Sequence, residues 1–310
     1  MMMSDVTYQG NEYVVCRIEN AHGPVLFVID KINEERLTKE FLLQQNIMLN
    51  GRKLESRQIQ ANFILQTGKY IARNLSKNVN GRVQKSVLLL HNILKNRFTF
   101  DGKGQTETVD HKNRNGRDNR LSNLHITSQS LQNMNQQQKA KEQKSEFDFN
   151  ANFIPKNIHF CGGRNNPTFE FHLKMEGKSY RFKKTLPSNV SLHMKLLYLI
   201  EILKLVRPIL PDYIRFLPEH FVQAKLTEKD FNEILQLSNF DSNEIKNNLA
   251  NNFQFVFATA EESLRIERQE NIFYVLIPTN EEKQIIESWL TRDQTDINMI
   301  LQNMTKIRDN

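Results

Sequence analysis

A chain of 310 residues with 39% hydrophobic and 25% charged residues is long enough for two or three domains with their own cores. Its net charge of +7 suits a surface drawn to polyanions, because Lys and Arg that neutralise phosphates release condensed counterions. Only two cysteines, Cys16 and Cys161, are present, which argues against a disulfide scaffold or zinc ribbon and for a reducing, intracellular compartment. The start, MMMSDVTYQGNEY, lacks the apolar core of a signal peptide. The richest apolar run, LLYLIEIL at 196–203, is broken by Glu201 and falls short of the roughly 20 residues of a membrane span. No membrane partner is expected.

In chain order, NEYVVCRIENAHGPVLFVID (11–30) reads as two short strands around the turn AHGP, followed by a more helical stretch to about Leu49. GKYIARNLSKNVNGRVQKSVLLLHNIL (68–94) offers a strand, a turn at Asn80-Gly81 and an apolar run that turns helical. QQQKAKEQKSE (136–146) has no apolar face and reads as a flexible linker. In 154–208, NIHFC gives a strand, TFEFHLKM and SYRFKK alternate around the turn MEGK, and SLHMKLLYLIEILKLV has helical spacing up to Pro208. Beyond it, LTEKDFNEILQL reads as a helix started by Thr227, FQFVFATA and NIFYVLIP as buried strands, and EEKQIIESWL as a further helix. The expected class is α+β. The expected segments are a β-rich module (1–75), a compact finger (76–136), a linker (137–152), a three-strand-plus-helix domain (153–208) and a mostly helical C-terminal region (209–310).

The chemistry concentrates in VDHKNRNGRDNRLSNLHITSQSLQNMN (109–135). Phosphodiester hydrolysis needs a base, a cation and a brace that holds the base in place. His111 titrates near working pH and is the candidate base. Asp110 offers the hard oxygen that Mg²⁺ or Mn²⁺ prefers. Adjacent strand residues point to opposite faces, so the pair serves one site only if the strand ends or twists there. Asn123, where the loop gives way, can bond across it and orient the His111 backbone or ring. Gln132, Asn133 and Asn135 supply amide oxygens on a polar helix.

This stretch, DH followed by N-x-N-G-x-D-N-R-x-x-N-L and S-x-Q-N-x-N, resembles the HNH endonuclease signature of the ββα-metal nucleases, in its homing-endonuclease branch. The resemblance implies Asp110 as a metal ligand, His111 as general base, Asn123 as the bracing Asn, and a last ligand on QNMN. That ligand is assigned to Asn133, with Gln132 and Asn135 as alternatives because one residue turns a helix by about 100°. SVLLLHNIL (86–94) is similar to the segment that precedes the DH strand in that family. His91 within it is expected to be structural, and His125 to pack or face phosphate. Arg114, Arg117 and Arg120 of the loop are expected to contact nucleic acid.

The unit at 154–206 resembles the ethylene-response-type (APETALA-like) DNA-binding domain, which implies a sheet that reads the major groove. Arg164, His172, Lys174, Arg181 and Lys183 are its candidate contacts, although the Trp usual in that hairpin is replaced by Phe169 and Phe171. The expected function is a Mg²⁺-dependent DNA endonuclease acting on duplex DNA, a monomer nicking and a homodimer able to break both strands. A DNA-binding protein that does not cleave is the alternative, and an RNA-binding maturase-like factor a third reading.

Overall fold

The structure is a computed structural model. It describes all residues except 46, 50–51, 80–81, 99–106, 136–140, 150, 163–164, 176, 211–224, 250–253, 260–262, 269–270, 277 and 309–310. The chain opens with β1 (Met2–Tyr8), β2 (Asn11–Ile18), β3 (Val25–Asp30), α1 (Lys39–Gln44), β4 (Met48–Leu49), β5 (Arg52–Lys53) and β6 (Ile59–Gln66). It continues through β7 (Tyr70–Val79), β8 (Arg82–Leu89), α2 (Leu90–Leu94), β9 (Glu107–His111), β10 (Leu124–Ser128) and α3 (Gln129–Asn135). Then come β11 (Ile158–Cys161), β12 (Thr168–Met175), β13 (Lys178–Phe182), α4 (Leu192–Val206), α5 (Lys225–Gln236) and α6 (Ser242–Asn248). The chain ends with β14 (Gln254–Thr259), β15 (Ser263–Arg268), β16 (Asn271–Leu276), α7 (Asn280–Arg292) and α8 (Gln294–Arg308). The class is α+β, with small antiparallel sheets. Two units emerge: residues 1–129 with 226–250, and residues 130–225 with 251–310. The turn expected at Asn80-Gly81 lies outside the described residues.

In the first unit, β1, β2 and β3 form an antiparallel sheet buried on both faces. Double burial explains why VLFVID reads as an unbroken apolar run rather than an alternating one. Tyr13, Val15, Leu26 and Val28 meet Phe231, Ile234 and Leu235 of α5 and Ile245 of α6. The opposite face, with Val14, Cys16, Phe27 and Ile29, shares a core with Phe63, Ile71, Leu75 and Leu88 of the β6-β7-β8 sheet and with Val109 and Leu124 of the β9-β10 hairpin. Each such aliphatic or aromatic side chain contributes about 1.5–3 kcal/mol by leaving water. Polar ties reinforce the helical cover: Arg17 donates from Nε and Nη2 to Glu244, both at 2.9 Å, and Asn248 Oδ1 accepts from the Leu26 N–H at 2.9 Å. So residues 226–248 belong to the first unit rather than to a separate C-terminal region. Helix α5 begins at Lys225, which puts Thr227 inside the helix instead of at its cap.

The second unit is built on the sheet β11-β12-β13. Phe169, Phe171, Leu173 and Phe182 pack with Leu196, Leu197, Tyr198, Ile200 and Leu203 of α4. Ser191 caps α4 by accepting from the Met194 N–H at 3.2 Å. Helices α7 and α8 add Ile286, Ile297 and Met304 to the same core. Phe147 and Ala151, inside the stretch expected as linker, are buried there too, because Phe147 joins an aromatic cluster with Phe149, Phe160 and Phe169. Asp293, at the C-cap of α7, accepts from Tyr198 Oη at 2.6 Å and from Lys184 Nζ at 2.9 Å. Strands β14 and β16 fall on the two apolar runs, and β15 lies between them. The sequence pattern did not single out β15, because SLRIER carries three charged residues against two apolar ones. Among the described residues no helix is long and apolar enough to cross a membrane. Cys16 and Cys161 are free thiols in different units.

Candidate active site

The candidate residues begin on the β9-β10 hairpin, where His111 pairs with Leu124 and Asp110 with His125. Strand alternation sets the direction of each side chain. Val109 and His111 turn inward and are buried, whereas the half-buried Asp110 points to the other face. His111 closes the strand, and the turn starts at Lys112.

The His111 ring is 3% exposed. His91 packs against it edge to face, with centroids 4.9 Å apart, and Tyr70 lies 5.7 Å away on another side. Its Nε2 lies 3.4 Å from Asn119 Oδ1, a long contact. Asn119 Nδ2 donates to the Gly116 carbonyl at 3.2 Å, so its Oδ1 faces the imidazole and would accept from Nε2 when that nitrogen carries the proton. Burial, assisted by the nearby Lys69 charge and opposed by the Asn119 contact, lowers the His111 pKa to about 4. Burial holds His91 well below the usual histidine range as well.

The loop after His111 is a closed polar network rather than a solvated turn. Asn113 and Asn123 bond reciprocally: the Asn113 N–H donates to Asn123 Oδ1 at 3.0 Å, and Asn123 Nδ2 donates to Asn113 Oδ1 at 2.9 Å. Asn123 Nδ2 also reaches the Asp118 carbonyl at 2.7 Å, and the Asn123 carbonyl accepts from the Lys112 N–H at 2.9 Å. The brace therefore acts on the loop, not on the imidazole. Asp118 is buried and takes a two-point contact from Arg120, at 2.7 and 2.8 Å, plus Asn113 Nδ2 at 2.7 Å. Burial pushes the Asp118 carboxyl up, and the Arg120 guanidinium opposes that shift. The loop then docks on the free edge of β3. The Val28 N–H donates to the Arg117 carbonyl at 3.0 Å, and the Asn119 N–H to the Val28 carbonyl at 2.9 Å. Gly116 permits this closure, since a Cβ there would run into the Lys69 carbonyl and stand 2.7 Å from Tyr70 Cδ1.

The arginines expected to face nucleic acid are placed differently from one another. Arg120 is 2% exposed and held by Asp118. Arg117 donates from Nη1 to Asn248 at 3.0 Å and lies 6.0 Å from the Phe231 ring centre. Arg114 is half-buried with a left-handed φ of 63°. The amide candidates Gln132, Asn133 and Asn135 stand on α3 and belong to the second unit, whereas Asp110 and His111 belong to the first. Asn133 is exposed, Gln132 half-buried and Asn135 buried. His91 is buried, as a structural residue would be, and His125 is exposed on β10.

In the second unit, His172 and Lys174 of β12 pair with Arg181 and Ser179 of β13 on the sheet face opposite α4. Lys174, Arg181 and Lys183 are exposed. Arg164 lies outside the described residues. His172 bonds to Ser179 Oγ at 2.6 Å.

Among the described residues no group of three or more His, Cys, Asp or Glu side chains converges on a metal-sized space. Sequence reasoning missed the parts played by Tyr70, Asn113, Asp118 and Asn119. For Asn113, Asp118 and Asn119 the signal was present in the density of Asn and Asp between His111 and Asn123, too polar for a core and too ordered in type for a plain loop, whereas nothing local to the motif points to Tyr70. Comparison with protein-family models, with curated proteins and with solved structures yields no match.

Proposed function

We propose that the chain is a metal-dependent DNA endonuclease, with His111 as general base, Asp110 as a metal ligand, and duplex DNA as substrate. The observation that supports this reading most is the loop closure. Asn123 locks Asn113 and Asp118 immediately after His111, so the candidate base sits at the end of a strand that a buried network holds rigid. His111, with its pKa near 4, is neutral at physiological pH, the form a base needs to accept a proton from water. Asp110 would hold Mg²⁺ or Mn²⁺. When bound, that ion would supply a positive charge against the scissile phosphate and the leaving oxygen. The exposed Lys174, Arg181 and Lys183 would position the duplex through its backbone.

The 3% exposure of His111 favours a second reading, a DNA-binding protein that does not cleave. Supercoiled plasmid with Mg²⁺ separates the two. The nuclease reading expects nicking by the wild type, reduced at least about 10²-fold in His111→Ala, with binding retained. Duplex binding by a wild type that leaves the plasmid supercoiled supports the second reading.

A further inference from the structure

The second unit holds a groove of about 760 Å³ along the free edge of its sheet. One wall is the outer strand, through Lys178, Ser179, Tyr180 and Arg181, and the other is α8, through Ile300, Asn303 and Lys306. We propose that this groove is a second DNA-backbone site, taking the phosphodiester chain of one strand between β13 and α8. The proposal rests on the DNA-binding part of the proposed function and extends it to Lys178 and Lys306, for which that function has no role.

Three observations carry it. First, the walls carry three cations, Lys178, Arg181 and Lys306, and no carboxylate is among the described lining residues. Glu170, the acid beside Arg181, is half-buried and stands 3.8 Å away in a loose pair with the exposed guanidinium, which leaves the guanidinium able to engage phosphate. Second, Asn303 of α8 is exposed and lines the groove, and its side-chain amide can donate to phosphate oxygens. Third, the shape is linear. Lys178 to Arg181 covers about 10 Å of strand, and Ile300 to Lys306 covers about 9 Å of helix on one face. That is the length of about three backbone steps of one DNA strand, which suits a chain of phosphates rather than a single one. Arg181 also belongs to the outer sheet face with His172 and Lys174, so the groove continues the surface expected to read the duplex.

The test is the salt dependence of duplex binding by the full chain, measured for wild type, for Lys178→Gln/Lys306→Gln and for Lys178→Arg/Lys306→Arg. Loss of two phosphate contacts should make the slope of log affinity against log salt shallower by about 1.8 in the glutamine variant, and the arginine variant should keep the wild-type slope. Both lysines are exposed, so the fold should persist, and a circular dichroism melt checks it. A glutamine variant with the wild-type slope overturns the groove while leaving the nuclease reading intact. Wild type that binds the duplex but never nicks overturns the nuclease reading, with the groove still judged by the slopes. Wild type that shows no salt-dependent duplex binding overturns the groove as well.

Discussion

His91 and His111 meet edge to face inside the first unit, and burial lowers the pKa of both. In the unfolded chain each would titrate near 6.5, so between about pH 6.5 and 4 the unfolded state binds more protons than the folded one. Stability is then complete above that window and falls as pH drops through it, with a slope approaching ~2.7 kcal/mol per pH unit where both histidines contribute. Denaturant melts at about pH 7.5 and 5 should show this loss, and His91→Gln should make it smaller. Cleavage should keep its rate down to about pH 5 at fixed folded fraction, because the active neutral imidazole is lost only near pH 4. A rate that halves near pH 6.5 would contradict the buried environment. Asp118 and Arg120 form a buried pair, so Asp118→Ala should cost about 3–5 kcal/mol by leaving the guanidinium uncompensated. Gly116→Ala should cost about 1–3 kcal/mol by forcing Lys69 and Tyr70 away. Thermal melts of the two variants check both figures.

Elements whose pattern comes from local chemistry were legible in the amino-acid order alone. The alternation of TFEFHLKM against SYRFKK and the helical spacing after Ser191 reflect which faces are buried, and β12, β13 and α4 fall where they indicate. The same holds for β2, β3 and α7. Long-range choices were not legible. Nothing in LTEKDFNEILQL says that Phe231 and Ile234 will cover the sheet formed by the first thirty residues, because an amphipathic helix specifies a partner's apolarity and not its identity. The site shows the same division. Asp110, His111 and Asn123 are candidates readable from their motif, but the packing around the His111 ring comes from Tyr70 and His91, which lie 41 and 20 residues upstream of it in sequence. Asp293 offers an element-scale check, since it ties the α7 end to Tyr198 and Lys184. Asp293→Ala should destabilise the second unit by about 3 kcal/mol, read as an earlier transition in a denaturant melt, while the first unit's transition stays in place.

At the scale of the molecule, the chain joins two units that each carry part of the proposed machinery. The first holds the base, its brace and Asp110; the second holds the exposed basic sheet face and the groove beside α8. A net charge of +7 favours encounter with DNA over either unit's surface, whereas hydrolysis depends on a few oxygen donors and one imidazole. Binding and cleavage should therefore separate by mutation: changes at Lys178 and Lys306 act on the salt slope, and changes at Asp110 act on turnover. Metal-dependent nicking of supercoiled plasmid, compared between wild type and Asp110→Ala at DNA occupancies matched by a binding assay, separates a nuclease from a reader. Wild type should nick in Mg²⁺ or Mn²⁺ and stop with chelator, and the rate should fall at least about 10²-fold in the variant. Equal nicking by the two proteins, or none by a wild type fully bound to duplex, would contradict the nuclease reading.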